Sequence, residues 1–148
     1  MQPRHCAPQV AGPGQDWARN VGEGRWHKAW RMRSLRAVGA VLAFSSDWNV
    51  AEMDPVIDIC TAVTRRPLGG GEPWQSGGAV DVATAVRGYT MGSAYANFPD
   101  GERGSLTVGK AADFVVLSRN IFEIPVESTP GPVAERVVVA GETVHQNR

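Results

Sequence analysis

The run Ala40-Val41-Leu42-Ala43-Phe44-Ser45-Ser46-Asp47-Trp48, followed shortly by Asp54-Pro55, decides how this chain is read. Five apolar residues in succession, without polar alternation, predict a parallel strand buried on both faces. Polar residues follow at once, so Ser45-Ser46-Asp47 stands where such a strand emerges. Asp54 then predicts a helix N-cap and Pro55 the first helical position, with Val56, Ile59 or Cys60, and Val63 as the buried stripe. Upstream, Trp26 to about Val38 reads as a helix with Trp26, Ala29, Trp30 and Ala37 on one face. Lys28, Arg31 and Arg36 point elsewhere, and Gly39 is placed as its stop. Helix, buried strand, polar exit loop and helix is the grammar of an α/β fold.

Further out, residues 7 to 24 carry Gly and Pro with no sustained apolar period and read as a long loop. Pro67 to Gly78 holds Gly69, Gly70, Gly71, Gly77 and Gly78 and reads as a flexible connector anchored by Trp74. The glycines match neither GxGxxG nor GxxxxGK[ST], so no phosphate loop is expected there. Asp81 to Tyr89 predicts a helix with Val82, Ala85, Val86 and Tyr89 on one side. Thr90 then caps a second short helix whose Met91, Ala94, Tyr95 and Phe98 face the core. After a turn at Pro99-Asp100-Gly101 the pattern becomes extended. Phe114-Val115-Val116-Leu117 is one strand, and Arg136 to Val139 joins Glu142 to His145 through Ala140-Gly141 as a hairpin.

The composition is compatible with this plan. The 148 residues (15.9 kDa) are 43% apolar and 20% charged, enough to bury a core in one domain and contrary to wholesale disorder. Fifteen cations balance fifteen anions. The balance hides a split, because seven cations and two anions fall between Met1 and Val38 and leave eight cations and thirteen anions for the rest. A basic, Trp-bearing segment over 17–36 raises the alternative of a nucleic-acid or anionic-surface contact, but zero net charge and the lack of a recognised binding fold argue for no nucleic-acid partner. Cys6 and Cys60 do not make a disulfide framework, and both are expected to be reduced. No apolar run reaches the roughly 18 residues of a membrane span, and the N-terminus lacks a secretory core, so a cytoplasmic chain with no membrane partner is expected.

Phe44-Ser45-Ser46-Asp47-Trp48-Asn49-Val50 resembles Phe-Gly-Ser-Asp-Trp-Pro-Val, the motif that ends the last barrel strand in family 3 of the metal-dependent amidohydrolases. Ala85-Val86-Arg87-Gly88-Tyr89-Thr90-Met91-Gly92-Ser93-Ala94-Tyr95-Ala96 looks like the helix pair of that family. Gly104-Ser105-Leu106-Thr107-Val108-Gly109-Lys110-Ala111-Ala112-Asp113-Phe114-Val115-Val116-Leu117 is similar to its passage from barrel to β-sandwich. Gln2-Pro3-Arg4-His5 resembles the end of its seventh barrel strand, and the segments stand in the family's order. The resemblance implies an α/β fold: the C-terminal fragment of a (β/α)8 TIM-type barrel over 1–98, then part of a small β-sandwich over 99–148. Six preceding strands and half of the sandwich would lie ahead of Met1.

The resemblance also implies chemistry. Active sites of such barrels sit at the C-terminal ends of the strands, where a carboxylate can meet a metal-bound water. Asp47 matches the family's catalytic aspartate, the general base and acid that takes a proton from that water and passes it to the leaving nitrogen, and that approaches or ligates the metal. An isolated strand-end aspartate more often caps a turn, and the surrounding motif is what favours the catalytic reading. His5 is implied as a substrate-binding residue, although a histidine near a terminus is as often structural. His27 and His145 have no motif support. A hydrolytic zinc site needs three protein ligands, and the three histidines of this chain include no His-x-His pair. The remaining ligands of the parent's divalent metal, zinc by this reading, are therefore absent from the chain. Ser45 and Asn49 replace the usual glycine and proline of the exit loop without removing a reactive group.

The expected function is thus that of the C-terminal part of a hydrolase acting on a non-peptide C–N bond of a small-molecule amide or formamide, inactive as an isolated chain. The alternative is a truncated non-catalytic relative, or a partner subunit of a split enzyme that pairs with a separate N-terminal barrel portion. Exposed strand edges and a half sandwich predict marginal stability, association or loose packing at the N-terminal end.

Overall fold

Hydrogen bonding around Phe44 organises the molecule. The computed structural model describes residues 1–68, 70–125 and 131–147, with residues 4, 8 and 9 described by their backbone alone. The Met1 amino nitrogen donates to the Ala43 carbonyl at 2.7 Å, and the Met1 carbonyl accepts from the Ser45 N–H at 3.2 Å. That reciprocal offset is the pairing of parallel strands, with Met1 opposite Phe44. On its other side Phe44 donates its N–H to the Gly88 carbonyl at 3.0 Å. The Ser93 hydroxyl donates to the Phe44 carbonyl at 2.7 Å.

The predicted strand is corrected in two respects. Residues 40–47 form no ladder, because Met1 is their one strand-like neighbour among the described residues. Nor are both faces buried: Phe44 is 3% and Leu42 8% exposed, whereas Val41 is 57% exposed. Helices cover one face, and the apolar run is read as two-sided only where a second layer exists. Leu42 and Phe44 join Cys6, Met32, Ile59, Ala62, Val80 and Ala85 in one core cluster.

The helix predicted after Asp54 is α5 (Pro55–Thr64), and the Asp54 carboxylate caps it by accepting from Val56 N–H at 2.9 Å. Val56, Ile59 and Cys60 are buried as expected. Val82–Arg87 forms α6, capped by Asp81 accepting from Thr84 N–H at 2.6 Å. It runs through a wider π turn (Gly88–Gly92) into α7 (Ser93–Ala96), so Thr90 does not start a second helix. Its hydroxyl donates to the Val86 carbonyl at 2.9 Å instead. Ala94 faces the core, but Met91, Tyr95 and Phe98 are exposed, Phe98 by 92%. The π turn rotates the following residues away from the face that a continuous 3.6-residue period assigns.

Residues 7–24 are not a loop. They hold α1 (Pro8–Ala11), α2 (Asp16–Val21) and the start of α3 (Glu23–Trp26). Small residues permit this: Ala7, Ala11 and Ala18 are all buried. The helix predicted from Trp26 to Val38 is broken, with α4 beginning at Met32 and Trp30 at φ 44°. Trp30 packs on Trp17 at 4.6 Å between ring centroids, and its carbonyl accepts from the Arg65 guanidinium. These contacts override the local helical pattern. Gly39 does end α4, at φ 86°. In the connector, Trp74 is buried against Trp26 at 4.9 Å, while Gly69 lies outside the described residues.

The C-terminal part is a three-stranded antiparallel sheet in the order β1 (Phe114–Leu117), β2 (Ala134–Val139), β3 (Glu142–Gln146). Phe114 pairs with Val138 and Arg136 with Gln146. Ala140 and Gly141, both at positive φ, close the β2–β3 hairpin as predicted. This three-stranded sheet is the one sheet among the described residues. No helix of the described residues is long and apolar enough to cross a membrane.

Candidate active site

The parallel pair between Met1 and Phe44 sets what meets beyond it. Both segments leave that pair in the same direction. One enters a 3-10 turn, Pro3–Cys6, that carries His5; the other reaches Asp47. Three or four residues past the pair, His5 Nε2 lies 3.9 Å from Asp47 Oδ2, an ion-pair distance longer than a hydrogen bond. The two residues singled out from sequence, 42 positions apart, are thus brought together.

Asp47 sits at φ 60°, a left-handed conformation that aspartate tolerates better than most residues. Its carbonyl accepts from Val50 N–H at 2.6 Å, closing a tight exit turn that leaves the side chain 49% exposed. His5 is more enclosed, at 23%. Its Nε2 atom is buried and makes no hydrogen bond among the described residues. A buried ring nitrogen without a hydrogen-bond partner thus faces a half-open carboxylate at ion-pair range. The pair can bind a polar group and move a proton at Asp47.

The pair does not make a metal centre alone. Among the described residues no three His, Cys, Asp or Glu side chains cluster, and two donors fall short of the three that a hydrolytic zinc needs. His27 and His145 are not at the site: His27 follows α3 and His145 lies in β3.

Sequence reasoning missed the buttress behind His5. Asp58, Thr61 and Arg65 are fully or almost fully buried along one side of α5 and its C-cap. The Cys6 thiol, next to His5, donates to the Pro3 carbonyl at 2.7 Å and faces the Arg65 guanidinium. Burial lowers the Arg65 pKa, and Cys6 partly opposes that shift. On the opposite flank Tyr89 donates its hydroxyl to Asp58. Burial first, and then the Asp58 carboxylate, push the Tyr89 pKa well above the usual tyrosine value. The signal was in the spacing: 58, 61 and 65 recur at i, i+3 and i+7, a second helical stripe made of polar residues.

Comparison with known proteins gives these residues a setting. The model of the amidohydrolase family matches residues 1–145. Protein LONG AFTER FAR-RED 3 of Arabidopsis thaliana is 37% identical over 107 residues, which are 72% of this chain and 18% of that protein. The N-substituted formamide deformylase of Arthrobacter pascens is 32% identical over 119 residues, 80% of this chain and 21% of the enzyme. The putative amidohydrolase YtcJ of Bacillus subtilis (strain 168) is 28% identical over 128 residues, 85% of this chain and 24% of that protein. The chain therefore spans about a fifth of the length of the curated relatives it matches. The crystal structure of an amidohydrolase from Thermotoga maritima MSB8 superposes with a TM-score of 0.60 at 22% identity, covering 80% of this chain and 26% of that one, a likeness of fold.

Proposed function

The chain belongs to amidohydrolase family 3, and from that premise we propose that it is the C-terminal part of a metal-dependent hydrolase acting on a non-peptide carbon–nitrogen bond, inactive by itself. The formamide deformylase among its relatives supports an amide or formamide substrate. The observation that carries the reading is the approach of His5 to Asp47 at the open end of the stretch 40–47.

In this reading Asp47 handles the proton. Its carboxylate accepts a proton from the attacking water as the water oxygen bonds to the substrate carbonyl carbon. The same proton then passes to the nitrogen as the C–N bond breaks, giving a carboxylic acid and an amine. His5 Nε2, facing the same point, orients the substrate's polar group. The metal ligands would come from segments outside this chain.

The test is complementation. The isolated chain, with and without added zinc, is expected to leave N-substituted formamides uncleaved. Supplying an N-terminal barrel portion taken from a relative should restore turnover. Asp47→Asn, which keeps a residue tolerant of positive φ, should then lower kcat by about 10²–10⁴-fold. Turnover by the chain alone overturns the proposed inactivity. Restored turnover indifferent to Asp47→Asn sinks the role of Asp47 and leaves the chain a non-catalytic partner.

A further inference from the structure

At the other end of the stretch 40–47, away from His5 and Asp47, lies a cavity of about 450 Å³ that the reaction above does not use. Its volume falls in the range of small-ligand sites. Four cations, Arg36, Arg87, Arg103 and Lys110, border it against a single carboxylate, Asp100. Leu42 forms part of an apolar floor that lowers the local dielectric.

Among the described residues one of these cations, Arg103, has a carboxylate partner within ion-pair range. Arg87 donates to the Met91 thioether at 3.3 Å, a weak acceptor. Arg103 Nε stands 3.8 Å from Asp113 Oδ2, an ion pair without a hydrogen bond. The Arg36 charge helps to lower the Asp81 pKa. Lys110 is spent on structure: its ammonium bonds the Asp100 and Arg103 carbonyls and fixes the wall that carries Arg103. Three exposed arginines thus border one hollow, and of these Arg103 shares its charge with Asp113. Guanidinium forks match tetrahedral oxyanions in geometry and charge, and a gathering of like charges is relieved by a multivalent anion.

From this cluster we propose that the cavity binds a small multivalent oxyanion of the phosphate class, held by Arg36, Arg87 and Arg103. Calorimetric titration of the whole chain with inorganic pyrophosphate at low salt tests it. Saturable binding of one equivalent is expected, weakened at least about tenfold by Arg87→Ala and by Arg103→Ala, the loss of one charge-assisted contact. Arg87→Lys, which keeps charge but not the fork, should fall between. Lys28→Ala, an exposed cation outside the cavity, should leave affinity unchanged. Circular dichroism confirms that each variant is folded. The proposal fails if no saturable binding occurs, or if Lys28→Ala weakens it as much as the cavity variants. It fails also if a glutamate oligopeptide binds more tightly than pyrophosphate, for the cavity would then receive an acidic segment.

Discussion

Tyr89 is the residue whose environment makes the sharpest demand. Burial and the Asp58 carboxylate keep its hydroxyl protonated in the folded chain. In the unfolded chain a tyrosine releases its proton near pH 10. Above that pH the unfolded state binds fewer protons than the native one, so stability falls as pH rises; below it the contribution is fully present. Urea midpoints measured from pH 9 to 11 should therefore decline more steeply for the wild type than for Tyr89→Phe, and equal slopes would show that Tyr89 does not set this pH dependence. At neutral pH Tyr89→Phe should cost about 1–3 kcal/mol, because buried Asp58 loses a donor. Asp81 runs the other way. The Thr84 N–H holds its carboxyl below the usual range, so its contribution is fully present above about pH 4, the unfolded value, and is lost as pH falls below that through the lower folded pKa. Asp81→Ala should destabilise by about 1 kcal/mol at pH 7, the worth of a helix cap, and by less at pH 3. At this scale the motif singled out Asp47 and His5. Their meeting was not legible, because it depends on a register fixed by the hydrogen bonds of Met1 with Ala43 and Ser45. Asp58 and Arg65 stayed hidden because polar residues on a helix are ordinarily assigned to solvent.

Among elements, those with local signals were the legible ones: α5 with its Asp54-Pro55 start, and the β2–β3 hairpin with its Ala140-Gly141 turn. Where long-range contacts decide, as at Trp30 or in the π turn, periodicity alone misled. The π turn also explains two glycines. A Cβ on Gly88 would stand 2.7 Å from the Phe44 ring, and one on Gly92 would collide with the Leu42 carbonyl. Both glycines have helical φ, near −60°. In an exposed helix Gly→Ala stabilises by about 1 kcal/mol. Here the sign should reverse: Gly92→Ala and Gly88→Ala are each expected to destabilise by about 1–3 kcal/mol, the cost of overpacking. Denaturant midpoints for the two variants check this, and a gain in stability for either would mean that the π turn does not press on the stretch 40–47.

For the whole molecule, the decisive quantity is surface. The chain exposes 8903 Å², whereas a folded monomer of its mass should expose about 7,400 Å². The surplus, about 1,500 Å², exceeds the roughly 800 Å² that one partner buries in a standard protein interface. Much of the exposure is apolar: Val41 beside the Phe44 core, Phe98 after α7, and Val115, Val116 and Val144 on the sheet. The sheet is only three strands, and β1 and β3 both leave an edge without a strand neighbour among the described residues. Unpaired edges and uncovered valines favour pairing with another chain. The isolated chain is therefore expected to self-associate, with a sedimentation-derived mass that rises above 15.9 kDa as concentration increases. Its unfolding should be broad, beginning in the parts that pack least, and the midpoint should rise with concentration because association stabilises the folded state by mass action. A barrel portion that covers the Val41 face and pairs the 40–47 edge should abolish the self-association and sharpen the transition. A monomer that unfolds in one sharp, concentration-independent step would instead show that the surplus surface is tolerated in water.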